Sequence, residues 1–169
     1  MATLFLCLLN IWIIFGVSHK TKNLNTKVKS GILTAIQYIT LGVLLFLNDW
    51  WAMNPWLFGF QIAGVILGLW AILEMRKSRL NITPLPLNDS VLITTGPYRL
   101  LRHPMYLALI LVLYPMILPD HYLFSTLVLG VFTVNLILKL LFEERLLQER
   151  YTRYGTYKQN TWRLMPWVF

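Results

Sequence analysis

Residues Gly96–Tyr106 read GPYRLLRHPMY, with two arginines, a histidine and two tyrosines placed just ahead of an apolar run. A turn followed by a helix start presents unpaired backbone N–H groups. Beside cationic side chains, such a segment suits an anionic group. His103 and Tyr106 are three residues apart and share one helical face. A second cluster, Glu143 and Glu144, follows the last apolar segment. Carboxylates near a bilayer surface attract a cationic ligand more strongly where they are partly desolvated. Both clusters also have plain structural readings. Gly96-Pro97 turns the chain and Arg99 and Arg102 anchor in headgroups. The i,i+4 pairs Lys139–Glu143, Arg145–Glu149 and Glu149–Arg153 suit a solvated helix.

The chain that must position these residues has 169 residues, of which 57% are hydrophobic and 13% charged. Its mean hydropathy is +0.58. A soluble domain carries about a quarter charged residues, so the composition indicates an integral membrane protein. Apolar stretches run over Ala2–Val17, Gly31–Leu47, Leu57–Leu73 and Met105–Phe142, the last interrupted at Pro119-Asp120-His121. These predict an all-α, polytopic membrane helical bundle of about five transmembrane helices in one domain, 1–169. Three helices fall within 1–73. A cytoplasmic loop with the GPYRLLRHP motif covers 74–104, a helical hairpin 105–142 and a cytoplasmic or interfacial tail 143–169. The first segment has no basic n-region or small-residue cleavage site, which reads as a retained helix.

The charges orient this bundle. Lys20, Lys22, Lys27 and Lys29 lie in the first loop, and Arg76, Lys77, Arg79, Arg99 and Arg102 in the third. Lys139, Arg145, Arg150, Arg153, Lys158 and Arg163 lie at the end of the fifth segment and in the tail. Five spans put them all on one side, so the positive-inside rule predicts N-out and C-in. The net charge of +8 then reflects topology, and no nucleic-acid partner is called for. Cys7 is the single cysteine and the three histidines lie far apart, which argues against a disulfide framework or a metal site. Trp50, Trp51 and Trp56 suit an interfacial aromatic belt. From Lys139 to about Tyr154 no Gly or Pro intervenes, which predicts that the last helix continues beyond the bilayer. Trp162, Pro166 and Trp167 suggest a tail that docks on the membrane surface.

Taken in order, GPYRLLRHPMY, a hairpin, EERLL and a tyrosine-rich stretch resemble the isoprenylcysteine carboxyl methyltransferases and the related membrane phospholipid methyltransferases. The resemblance covers roughly Ser90 to Pro166. It implies S-adenosyl-L-methionine as cofactor, held by Ser90, Val91, Leu92 and Ile93, then by Tyr98, Arg102, His103, Pro104, Met105 and Tyr106, and by Glu143. It also implies that Lys139, one turn before Glu143, handles the substrate where eukaryotic enzymes carry an arginine. Lys139, Glu143 and Glu144 are thus the candidate catalytic residues. Lysine offers a point charge in place of the planar arginine fork.

The resemblance implies a methyltransferase acting on a lipophilic acceptor, with the cofactor site facing the cytoplasm. The leading expectation is carboxyl methylation of a prenylcysteine-like molecule. A phospholipid amine is the alternative acceptor, in which case Glu143 or Glu144 would serve as a base. A non-catalytic membrane scaffold retaining the fold is the reading from another class. Nothing in the sequence sets the oligomeric state.

Overall fold

The computed structural model describes residues 24–77, 92–117, 119 and 122–165. Within them the chain forms four principal helices and a short fifth: α1 Leu24–Leu47, α2 Pro55–Lys77, α3 Pro104–Ile117, α4 Leu123–Arg150 and α5 Tyr154–Gln159. A 3-10 turn, Gly96–Arg99, precedes α3. Three helices, α1, α2 and α4, are long and apolar enough to cross a membrane, whereas α3 is a shorter apolar helix. The expected first segment, Ala2–Val17, lies outside the described residues, as does most of the Pro119-Asp120-His121 turn.

The boundaries follow local chemistry. Pro104 starts α3, where its missing N–H leaves no bond unmade. The His103 carbonyl accepts from the N–H groups of Tyr106 and Leu107. Helix α1 begins at Leu24, seven residues ahead of the apolar stretch, so Lys27 and Lys29 lie on it rather than in a loop. The 28 residues of α4 correspond to about 42 Å of helix, longer than a hydrocarbon core of about 30 Å. The helix therefore carries Glu143 and Glu144 on its last turns without a break, as the uninterrupted sequence predicts. It stops at Arg150, where Tyr151 turns extended.

Packing pairs α1 with α4 and α2 with α3. On α1 the buried positions are Ser30, Leu33, Gln37, Thr40, Leu41 and Leu44, a stripe at helical spacing. Leu41 and Leu44 join Leu113, Met116 and Ile117 of α3 and Leu129, Phe132, Leu136 and Leu140 of α4 in the main core. The opposite flank of α4 leaves Leu127, Val131, Val134 and Leu138 exposed, as suits a face against lipid. Trp50, Trp51 and Trp56 are also exposed, in the α1–α2 connection and at the start of α2.

The α2–α3 contact depends on small residues. A Cβ on Gly64 would sit 2.9 Å from the Ala108 carbonyl oxygen and 2.9 Å from the Leu111 Cβ, and one on Gly68 would touch Ala108 at 3.4 Å. Such small-residue spacing lets membrane helices approach closely where apolar surface gains little by leaving lipid. Buried Gln61 adds a polar staple, donating to the Val112 and Trp50 carbonyls while accepting from the Ala52 N–H. Gly64→Ala should thus destabilise the protein by about 1–3 kcal/mol through overpacking. At Gly59, where nothing lies within 4 Å, alanine should stabilise by about 0.5–1 kcal/mol. Thermal melts of both variants in one detergent check the contrast.

Candidate active site

The 3-10 turn opens on Gly96, whose φ of +58° is the left-handed conformation that glycine tolerates best. A Cβ there would also meet the Glu74 side chain at 2.9 Å. Glu74 comes from the end of α2, is buried, and accepts the Thr95 hydroxyl at 2.6 Å. It thereby ties a membrane helix to the turn. Sequence reasoning missed Glu74, marking it only as the edge of a polar loop. An acidic residue so close to an apolar run was the signal available.

Beyond the turn, Tyr98 packs with Ala71 and Ile93, and Met75 and Met105 lie against them. Tyr157 of α5 donates its hydroxyl to the Tyr98 carbonyl at 2.7 Å. Burial pushes the Tyr98 hydroxyl well above its ordinary range, and Tyr157 and Glu143 push it further. Burial raises Tyr157 and Tyr154 too. These phenols therefore remain protonated at neutral pH.

His103, Tyr106 and Glu143 form the next layer. The His103 and Tyr106 rings stack with centroids 5.4 Å apart and planes within 6°. Tyr106 donates its hydroxyl to Glu143 Oε1 at 2.5 Å. The other Glu143 oxygen lies 3.7 Å from His103 Nδ1, beyond hydrogen-bond range. His103 Nε2 is buried and without a hydrogen bond, at 3.8 Å from Glu144 Oε1. The Lys139 ammonium sits 5.9 Å from the Tyr106 ring centroid and donates to Gln37 Oε1 of α1 at 2.8 Å.

Glu144 points elsewhere. Its Oε1 lies 2.9 Å from Arg102 Nε, and its Oε2 accepts from Arg163 Nε at 3.1 Å. The Arg102 approach is an ion pair off the hydrogen-bonding direction. Arg102 also donates through Nη1 to the Lys158 carbonyl at 2.9 Å. Arg163 belongs to a tail segment that pairs with the strip before α3. The Arg102 and His103 N–H groups donate to the carbonyls of Trp162 and Arg163, and Trp162 N–H donates to the Leu100 carbonyl. Leu164 is buried in the main core. Trp162 is held against Leu101 by this pairing. The exposed N–H and C=O groups of an extended strip find their partners most economically in a second extended strip. Pro166 and Trp167 lie outside the described residues.

Of the residues singled out from sequence, Tyr98, Arg102, His103, Pro104, Met105, Tyr106, Lys139, Glu143 and Glu144 gather around the junction of the turn, the start of α3 and the end of α4. Ile93 is buried beside Tyr98 and Leu92 is half-buried. Ser90 and Val91 lie outside the described residues.

The ion-pair geometry gives a stability prediction. Glu144→Ala leaves the Arg102 guanidinium, whose side chain is 9% exposed, without its counter-charge. The loss should approach the lower end of about 3–5 kcal/mol, because the Lys158 carbonyl still accepts from Arg102. Glu149→Ala, an exposed position on the same helix, should change stability by less than about 0.5 kcal/mol. Detergent-phase thermal unfolding of both variants checks it.

Comparison with known proteins adds one match. No curated protein sequence and no solved structure matches the chain. The phospholipid methyltransferase family matches residues 39–154, which contain α2, the turn, α3 and all of α4. That stretch covers more than half of the chain, and the family lies within the group of isoprenylcysteine-methyltransferase-like membrane enzymes. With its apolar helices and its two polar clusters brought together, the chain belongs to the phospholipid methyltransferase family, integral membrane methyltransferases that act on lipid.

Proposed function

We propose that the protein transfers a methyl group from S-adenosyl-L-methionine to a lipophilic acceptor held in the bilayer. The observation that carries this reading is the Glu143 carboxylate. One of its oxygens is fixed by Tyr106, and the other makes no hydrogen bond with His103. The residues present fit the cofactor. A sulfonium and an α-ammonium call for a carboxylate beside aromatic faces, as Glu143, Tyr106 and Tyr98 offer. The cofactor's carboxylate calls for a donor, and the buried His103 Nε2 has no hydrogen-bond partner. Leu92, Ile93, Pro104 and Met105 would contribute apolar walls, and Arg102 would keep His103 in place from the next position.

When bound, S-adenosyl-L-methionine supplies a methyl group on a cationic sulfur, which is already a strong electrophile. The protein's own residues then have mainly to position and shield. Tyr106 fixes the rotamer of Glu143, and stacking on Tyr106 fixes the plane of His103. Lys139 supplies a cation near the same carboxylate and favours an anionic acceptor, for which no general base is needed. This supports carboxyl methylation of a prenylcysteine-like molecule. The amine reading is favoured by the family's phospholipid substrates, with Glu143 then taking the proton. Glu144, held by two guanidinium groups, is a positioning residue in either case. The basic residues around the site support a cytoplasmic orientation.

Isothermal titration of purified protein with S-adenosylhomocysteine tests this reading. Micromolar binding is expected for wild type, with at least a tenfold loss in Glu143→Ala. Equal affinity in the two proteins, or no binding by folded wild type in nanodiscs, overturns the site. Labelled methyl released by base as methanol identifies an ester product, and base-stable label in lipid identifies N-methylation.

A further inference from the structure

Buried polar side chains line the contact between α1 and α4. Asn135 Nδ2 donates to the Leu33 carbonyl at 2.9 Å, and one turn later Lys139 Nζ donates to Gln37 Oε1 at 2.8 Å. Gln37 and Lys139 are 2% and 1% exposed. Polar groups at this depth in an apolar helix pair are costly and call for a purpose. Asn135 has one, since it bonds a backbone carbonyl and ties the helices together. Gln37 needs no lysine to pack against α4, and a lysine is an expensive partner for a neutral amide.

The hydrogen bond fixes which end of the Gln37 amide faces the ammonium. The oxygen accepts from Lys139, so the amide NH2 is the adjoining group on the same plane. It makes no hydrogen bond among the described residues. The pair therefore sets an ammonium and an amide NH2 side by side. Together they supply what a lone lysine lacks, a second donor held at a fixed angle to the first. The Tyr106 ring, its centroid 5.9 Å from the ammonium, belongs to the side chain that holds Glu143, so the pair adjoins the carboxylate proposed to meet the cofactor.

We infer that Gln37 and Lys139 form a composite fork that binds the two-oxygen anionic head of the lipophilic acceptor, so that Gln37 is a specificity-determining residue. The inference rests on the proposed methyltransferase reading and deepens it by naming the head group class, a carboxylate or a phosphate. Gln37 precedes residues 39–154 matched by the family, so this half of the fork belongs to the part of the chain outside that match.

The test uses full-length protein in nanodiscs and tritiated dodecanoate, with saturable binding read by scintillation proximity. S-Adenosylhomocysteine affinity is measured on the same samples. Wild type should bind dodecanoate, and Gln37→Ala should weaken it at least tenfold while leaving S-adenosylhomocysteine affinity within twofold. Lys139→Arg supplies the fork covalently, so Gln37→Ala on that background should cost less than twofold. Gln37→Glu keeps an oxygen for Lys139 but replaces the NH2 with a negative charge, and should abolish dodecanoate binding. Equal losses from Gln37→Ala on the lysine and arginine backgrounds overturn the fork, since a merely structural glutamine gains nothing from arginine. Wild type that binds S-adenosylhomocysteine but not dodecanoate also overturns it, and leaves the methyltransferase reading intact. Dodecanoate binding without S-adenosylhomocysteine binding overturns the cofactor reading and leaves the fork standing.

Discussion

The Glu144 carboxylate joins three parts of the chain that nothing else brings together as tightly. It sits on α4, and its two oxygens face Arg102 from the strip before α3 and Arg163 from the tail. Charges this well buried are tolerated only when each has a counter-charge and hydrogen bonds for its remaining valences. Arg102 has Glu144 as its counter-charge and donates through Nη1 to the Lys158 carbonyl, and the backbones on either side pair directly. The tail is consequently part of the site's scaffold. Removing the carboxylate would release two cations and the strip whose next residue is His103.

Two neighbouring carboxylates have different surroundings for a geometric reason. Adjacent residues on a helix point about 100° apart, so Glu143 and Glu144 cannot serve one pocket equally. Glu144 turns to the guanidinium pair, one oxygen accepting from Arg163 and the other ion-paired with Arg102. Glu143 turns to Tyr106 and His103, where one oxygen is held and the other lies beyond hydrogen-bond range of the histidine. A helix that left the bilayer and ended before this turn would present neither carboxylate. The length of α4 beyond the hydrocarbon thickness is what carries both to the site.

Much of this was legible in the sequence. The apolar stretches from Gly31 onward located the described helices because membrane helices need long uninterrupted apolar runs. Pro104 marked the start of α3, and the absence of Gly and Pro from Lys139 onward marked the last part of α4 as continuous. GPYRLLRHPMY and the glutamate pair carried enough local character to stand out. The tail pairing was not legible, because TWRLM has neither strand alternation nor turn residues. Its extended form is imposed by the partner strip and by Arg163 reaching Glu144. Gln37 and Glu74 were hidden for a related reason. Each is a single polar residue in or beside an apolar helix, and its meaning depends on what the opposing helix places next to it.

On the proposed reading a soluble cofactor and an apolar acceptor must meet in line, and alignment alone supplies a large share of such a rate. That requirement explains why rigidity in this bundle is distributed as it is. The α2–α3 pair is locked by glycine-mediated contact and the Gln61 staple, which fixes the helix carrying Tyr106. Glu74 then fixes the turn before it, and the tail fixes the strip between them. The α1–α4 pair is joined differently, through Asn135, Gln37 and Lys139 rather than through small residues. Polar bonds between membrane helices set orientation and add only modest binding energy. A contact of that kind is suited to receiving the head of a lipid, while the glycine-packed side holds the groups that must not move.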